Sequence, residues 1–462
     1  MMRVRDILDS TGAVLLRGDG ERWVHGVSTD TRALRPHQLF VALSGPNFDG
    51  NLFAQQACQL GAGAILLKGD SSLALPALQG DVPLAVHAEP RRALADLASW
   101  HRSQLSIPVL GITGSCGKTT TKNILGQLLA TRLRTVASPN SFNNDVGVPH
   151  TLLLADKTTQ ALVLEIGTNA PGEIAALARI ARPTGAIITM IGASHLEGLG
   201  SIEGVAREKS ALFASLPADG FAVMNTDCRH ADLLRASTRA RILTVSIDGA
   251  GEFNATNALF HSGGTTFRLR GREISSPLLG LHNISNLLCA LAACHGMGIE
   301  IDELLPAISE LKGGSRRMER HEIEGLVVFD DTYNANPESA GAAVRFLSGL
   351  HGRGRRVMVL GDMLELGASS PELHHAVGRE IAGSAIDLLV LVGEQVKATA
   401  AGALEAGMPS KRVVHVPSAE QAASEIDELL RQGDIVLLKA SRRIGLDRVV
   451  DHLRNRQGTG VR

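Results

Sequence analysis

The sequence predicts an α/β chain of three domains: a small α/β N-terminal domain, a central P-loop ATPase-like parallel-sheet domain, and a C-terminal Rossmann-like domain. Three observations predict it. Apolar runs of strand length alternate with segments of helical apolar spacing, the pattern of parallel sheets covered by helices. A glycine-rich loop, Gly111-Ile112-Thr113-Gly114-Ser115-Cys116-Gly117-Lys118-Thr119-Thr120, lies between one such strand and one such helix. The 462 residues exceed a single core, and domains of about 100–200 residues make three. Proline and glycine punctuation at Pro83 to Pro90 and at Lys312-Gly313-Gly314-Ser315 gives domains 1–88, 89–313 and 314–462.

Composition removes several classes of function. A net charge of -1 argues against a nucleic-acid surface or a polybasic membrane surface. The start, Met1-Met2-Arg3-Val4-Arg5-Asp6, has no apolar leader, and no apolar stretch is long enough to span a bilayer. A cytoplasmic protein without membrane insertion is expected, acting as a monomer. Cys58, Cys116, Cys228, Cys289 and Cys294 are odd in number and form no Cys-x-x-Cys pair, so neither disulfides nor a zinc site is expected.

In the first domain, Val27-Ser28-Thr29-Asp30-Thr31-Arg32 ends a strand-like run, and Leu39 to Gly45 leads to Phe48-Asp49-Gly50. Ser28, Asp30 and Arg32 suit a phosphorylated or sugar-like ligand; they equally suit a turn with a surface ion pair. From Pro90 to Leu105 an amphipathic helix starts at a proline.

The strand Pro108 to Ile112 then opens the central domain, and Ile124, Leu125, Leu128 and Leu129 mark the helix after Lys118. Strand, glycine loop and helix make a phosphate cradle, because backbone N–H groups and a helix N-terminus face the anion. Gly114, Ser115, Cys116, Gly117, Lys118, Thr119 and Thr120 are therefore expected to bind ATP. Lys118 reaches the β/γ-phosphates and the Thr119 hydroxyl offers a ligand to Mg2+. The usual pattern has glycine where Ile112 stands.

Beyond the loop, Asn140 to Pro149 is too rich in amides, Asn143 and Asn144 among them, to be only a linker. The strand Ala161 to Glu165 ends in an acid and continues into Ile166-Gly167-Thr168-Asn169. Ligands gather at the carboxyl ends of parallel strands, which suits Glu165 to share Mg2+; a cap or ion pair is the alternative. The strand Gly185 to Met190 leads to His195, a ligand or a structural histidine. Lys209, on the helix Ser201 to Leu216, reads as part of a solvated face. Asn283 and Asn286 share one face of the helix beginning near Leu281, where they read an adenine edge or cap the helix.

In the third domain, strands at Leu326–Phe329, Val357–Leu360, Leu388–Val392, Val413–Val416 and Ile435–Leu438 alternate with helices. Three polar clusters follow strand ends: Asp330 to Pro337, Gly361 to Gly367, and Lys439-Ala440-Ser441-Arg442. All fall on the carboxyl edge of one sheet. No Gly-x-Gly-x-x-Gly is present, which disfavours a dinucleotide.

Together these residues resemble the ATP-dependent Mur ligases of peptidoglycan synthesis over essentially the whole chain. The resemblance is carried by the loop Gly111 to Thr120, Asn143 to Pro149, Glu165-Ile166-Gly167, His195-Leu196-Glu197 and Arg317. Tyr333-Asn334-Ala335-Asn336-Pro337 and Gly361-Asp362-Met363-Leu364-Glu365-Leu366-Gly367 add to it, and the Asp-Asn-Pro-Arg of the tripeptide-making ligases is absent. The sequence departs from the family at Thr31, at Asn51, at Ala440 and at Cys116. At a helix N-terminus the Cys116 pKa is expected to fall, making it sensitive to thiol reagents.

The resemblance implies a ligase joining D-alanyl-D-alanine to UDP-MurNAc-tripeptide. The tripeptide carboxylate attacks the γ-phosphate of ATP, and the dipeptide amine then attacks the acyl phosphate. It implies Lys118, His195, Lys209 and Arg317 as catalytic residues. Thr119 with Glu165 would hold one Mg2+, and His195 with Lys209, the family's carbamate-bearing lysine, a second. Arg317 and Asp331 would close over the nucleotide with Asn286 near the adenine. Ser28, Asp30 and Arg32 would meet the UDP-sugar. Asn143, Asn144, Thr168, Asn169, Asn334, Asn336, Lys439, Ser441 and Arg442 would bind the peptide parts. A folylpolyglutamate synthetase-like ligase and a P-loop ATPase regulator are the alternatives.

Overall fold

In a computed structural model, residues 1–69, 81–228, 230–247, 249–352 and 354–456 are described. Near the N-terminus α1 (Val4–Thr11) buries Val4, Ile7 and Thr11 and stops at Gly12, whose φ of +72° suits glycine. Strands β1 (Val14–Arg17), β2 (Val27–Ser28), β3 (Leu39–Val41), β4 (Ala64–Lys68) and β5 (Leu84–His87) form a sheet of order β1-β5-β4-β3-β2. Only β1 is antiparallel to its neighbour. Phe40, Ile65 and Leu67 centre its core. Helix α2 (Pro90–Ser103) begins at Pro90, as the sequence predicts, and ends two residues before the expected Leu105.

Next come β6 (Val109–Thr113), α3 (Lys118–Ala130), β7 (Thr135–Ala137), β8 (Ala161–Glu165) and β9 (Gly185–Ile188). They are followed by α4 (Ile202–Ala214), β10 (Phe221–Asn225), β11 (Arg241–Ser246) and β12 (Phe253–Asn254). The strand order is β7-β8-β6-β9-β10-β11-β12. The pairs β7–β8, β10–β11 and β11–β12 are parallel. An antiparallel three-stranded sheet, β13 (Thr256–His261), β14 (Gly264–Leu269) and β15 (Arg272–Ser276), precedes α5 (Leu281–Gly296) and is absent from the sequence expectation.

The last sheet contains β16 (Glu319–Ile323), β17 (Leu326–Asp331), β18 (Arg356–Gly361), β19 (Leu388–Val392), β20 (Val413–Val416) and β21 (Ile435–Lys439). Helix α6 (Pro337–Gly349) follows β17. The order is β16-β17-β21-β18-β19-β20. The five expected strands are parallel, while β16 is an antiparallel edge strand that the sequence reading lacks. Its residues alternate half-buried with exposed, so no apolar run announces it. Register places Asp331 and Leu360 on either side of Lys439, bringing the three polar clusters to one edge.

By packing, the chain forms two compact units: residues 1–111, 132–168 and 173–185, and residues 112–131, 169–172 and 186 onward. Among the described residues no helix is long and apolar enough to cross a membrane.

Candidate active site

In the second unit, the glycine loop turns from β6 into α3. Ile112, which replaces the usual glycine, is a fully buried residue of β6. The turn itself needs Gly114 and Gly117, with φ of +153° and +84°. A Cβ at Gly114 would lie 2.0 Å from Thr189 Oγ1, and one at Gly117 would lie 2.3 Å from Asn286 Oδ1. Ser115 N donates to Met190 O at 2.8 Å. Ser115 Oγ donates to Gly192 O and accepts from Gly192 N, both at 2.9 Å. Thr189 Oγ1 donates to Cys116 O, and Lys118 Nζ donates to Gly114 O at 2.6 Å. Thr119 and Thr120 follow in the first turn of α3, with Thr119 buried. The first N–H groups of a helix have no carbonyl four residues back, so this rigid turn presents donors and Lys118 to an anion.

Cys116 contradicts its expectation. Burial pushes its thiol up to about 11, and the Glu338 carboxylate adds to the shift against the charges of Lys118, Lys439 and Lys209. Desolvation outweighs the helix terminus.

Lys209 also departs from the solvated face assigned to it. Its side chain is fully buried on α4 between Val205 and Leu212, and Nζ has no hydrogen-bond partner. Burial, then the charge of Lys118, holds its ammonium pKa well below the usual value. The signal lay in the spacing, since Val205, Lys209, Leu212 and Phe213 form one stripe. Neighbouring Glu208 accepts from Gly172 N at 2.7 Å. His195, at φ +52°, places Nδ1 2.8 Å from Glu365 Oε2. That hydrogen bond holds the Glu365 carboxyl below the usual carboxylate range.

Asn286 is committed to the loop. Its Nδ2 donates to Asn283 Oδ1 at 2.9 Å and its Oδ1 accepts from Thr121 Oγ1 at 3.3 Å. The amide therefore clasps α3 through Thr121.

The edge of the last sheet gathers the remaining clusters. Lys439 Nζ lies 2.6 Å from Asp331 Oδ2 and donates to Asn334 O at 3.0 Å. Ser441 Oγ accepts from Leu364 N at 2.9 Å and donates to Ala335 O at 3.3 Å. The Arg317 guanidinium stacks 3.8 Å from the Tyr333 ring centre, with Arg442 at 5.5 Å. Asn336 caps α6 by accepting from Ser339 N, and its Nδ2 donates to Ser115 O at 3.4 Å. Two residues on, Glu338 Oε1 accepts from Ala193 N at 2.6 Å. Sequence reasoning missed Glu338, because an acid in a first helical turn usually needs no further explanation.

In the first unit, Glu165 is buried at the end of β8. Its Oε1 accepts from Asn143 Nδ2 at 2.9 Å, and Oε2 has no hydrogen-bond partner. Asn144 Oδ1 accepts from Gly147 N at 2.9 Å, at the first residue of the short helix Gly147–Leu153. Thr168 is buried, while Asn169, assigned to the second unit, is exposed. Ser28 Oγ donates to Asp30 O at 2.9 Å, and Arg32 grips the Asp30 carboxylate from an 87% exposed side chain. The turn with a surface ion pair is thus present, and Arg32 stands open to solvent.

Comparison with known proteins bears on the whole chain. The UDP-N-acetylmuramoyl-tripeptide–D-alanyl-D-alanine ligase of Bacillus subtilis is 35% identical over 97% of this chain and 98% of its own. The chain belongs to the Mur ligase family. The Mur ligase catalytic domain matches residues 23–102, the Mur ligase middle domain 112–294, and the Mur ligase glutamate ligase domain 316–442. The equivalent Escherichia coli ligase is 36% identical over 92% of each chain.

Among solved Mur ligases, MurF of Acinetobacter baumannii superposes with a TM-score of 0.87 at 27% identity, covering 98% of both chains. MurF of Thermotoga maritima, solved with ADP, gives 0.80 at 26% identity over 95% of this chain and 99% of its own. The folylpolyglutamate synthase of Mycobacterium tuberculosis, with a TM-score of 0.61 at 20% identity over 80% of this chain and 95% of its own, shares the fold alone. As a Mur ligase the chain is an enzyme of the ligase class, which sets the regulator alternative aside.

Proposed function

We propose that this enzyme joins D-alanyl-D-alanine to UDP-N-acetylmuramoyl-tripeptide at the expense of ATP, giving the pentapeptide, ADP and phosphate. The observation that carries the reading is the bond from Asn336, in the polar edge of the last sheet, to Ser115 of the phosphate loop. It joins residues suited to a peptide acceptor with residues suited to a triphosphate. Near-full-length similarity to ligases of that name supports the particular substrates.

An amine cannot displace an oxygen of a carboxylate at neutral pH, because it would have to leave as oxide. Phosphorylation by ATP replaces that leaving group with phosphate. The step brings anions together, so the site must supply positive charge and alignment. Lys118 meets the β/γ-phosphates, and Gly114 to Thr120 cradle them. Arg317 and Asp331 contribute from the third domain, with Arg317 already held over Tyr333. Asn334, Lys439, Ser441 and Arg442 orient the dipeptide and the peptide end. Asn143, Asn144, Thr168 and Asn169 serve the peptide substrate, and Ser28, Asp30 and Arg32 the UDP-sugar.

Two orphaned buried atoms fit a role for Mg2+: Glu165 Oε2 and Lys209 Nζ. Mg2+ takes oxygen ligands, which Glu165 and Thr119 offer directly. His195 and Lys209 would serve a second ion, and a lysine carrying a carbamate presents oxygen as well. When bound, Mg2+ offsets the charge of the phosphates. The domain limits 1–88, 89–313 and 314–462 belong to the same reading, although the first family match, 23–102, runs past residue 88. The reading includes a monomer working in the cytoplasm, where ATP and UDP-activated substrates are found.

Phosphate release with ATP and Mg2+, omitting each substrate in turn, tests the reading. Release requires both substrates and yields the pentapeptide; release indifferent to them overturns it.

A further inference from the structure

Glu338 is a carboxylate in an unusual place. Its Oε1 accepts from Ala193 N at 2.6 Å, while Oε2 is buried without a hydrogen-bond partner. Within the second unit this is the one buried carboxylate oxygen, among the described residues, left in that condition. Three other acids of this unit are engaged: Asp331 by Lys439, Glu365 by His195, and Glu208 by Gly172 N.

Its position relative to the phosphate loop is fixed from two sides. A Cβ on Gly192 would lie 2.3 Å from the Glu338 carboxyl carbon, and Gly192 is bonded in both directions to Ser115 Oγ. From the same helix end, Asn336 donates to Ser115 O. The carboxylate therefore sits against the turn that receives the triphosphate. Like charges repel over several ångströms, and salt only partly screens the charge of a half-buried carboxylate whose Oε2 is shut off from water. An anion held there works against the ligand that the loop otherwise attracts.

We infer that Glu338 determines which form of the nucleotide the loop accepts: it opposes the metal-free triphosphate and admits the triphosphate whose charge a divalent cation has partly neutralised. The backbone bond to Ala193 holds the carboxylate in place, and its negative charge supplies the field. Nucleotide would then enter with its metal. This rests on the reading of the loop as an ATP site.

The test is calorimetric titration of the full chain with ATP in EDTA and with ATP plus Mg2+, for the native protein, Glu338→Gln and Glu338→Asp. Glutamine keeps an acceptor for Ala193 N–H and removes the charge. It should tighten metal-free ATP about tenfold while moving the Mg2+ complex by about twofold or less. Glu338→Asp keeps the charge and should keep the native discrimination. Equal effects on both nucleotide forms, or none, overturn the inference, as does Glu338→Asp behaving like a neutral residue. Weaker binding of the Mg2+ complex to Glu338→Gln would make Glu338 a cation ligand and also overturn it. If the native chain binds neither form, the ATP reading itself falls.

Discussion

Lys439 Nζ lies 2.6 Å from Asp331 Oδ2, with only 3% of the lysine side chain and 15% of the aspartate side chain exposed. The two residues face each other across β21 and β17 at the strand ends. Their pairing joins two of the three polar clusters and lets Lys439 also hold the carbonyl of Asn334. Removing one partner of a buried pair leaves the other charge uncompensated, at a cost of about 3–5 kcal/mol. Lys439→Met should lower the thermal midpoint markedly, and adding Asp331→Asn should restore part of the loss. A single variant as stable as the native chain would show that the pair does not organise this edge.

Much of this edge was legible in the sequence because parallel sheets announce themselves. Each of the five expected strands is a short apolar run followed by a polar cluster, and the parallel register brings those clusters together. The antiparallel β16 and the sheet β13–β15 were not legible. Their residues are charged, threonine-rich or half exposed, so period and propensity give little. Motif residues such as Lys118 and His195 stood out by position, but their partners did not. Glu365 and Glu338 lie more than a hundred residues away in sequence from the groups they touch. Lys209 and Cys116 were misread for a common reason: burial reverses what a helix surface or a helix terminus would do to a titrating group.

Cys116 supplies the second prediction. Its thiol pKa near 11 leaves roughly one part in a thousand as thiolate at about pH 8. Alkylation should be slow at neutral pH and accelerate about tenfold per pH unit through the alkaline range, followed by mass spectrometry of the loop peptide. Lys118→Met removes a charge that favours the thiolate and should slow it further. Rapid labelling at neutral pH would mean that the loop opens readily to water.

Lys209 supplies the third. Its pKa is lowered from 10.5 by burial and by Lys118, so the folded chain binds fewer protons there than the unfolded chain between the lowered value and the ordinary one. Stability must rise with pH across that window, and the penalty of the buried charge is greatest below it. Lys209→Met abolishes the titration. In buffer freed of carbon dioxide it should be at least as stable as the native chain at about pH 7, with a flatter stability profile up to about pH 10. The same neutral amine is the form that adds carbon dioxide, releasing a proton as the carbamate forms. Ligase activity of the native chain should therefore fall when carbon dioxide is removed and return with bicarbonate, while Lys209→Met stays inactive in both. A native activity indifferent to bicarbonate, together with a Lys209→Met profile as steep as the native one, would leave Lys209 as an ordinary buried side chain.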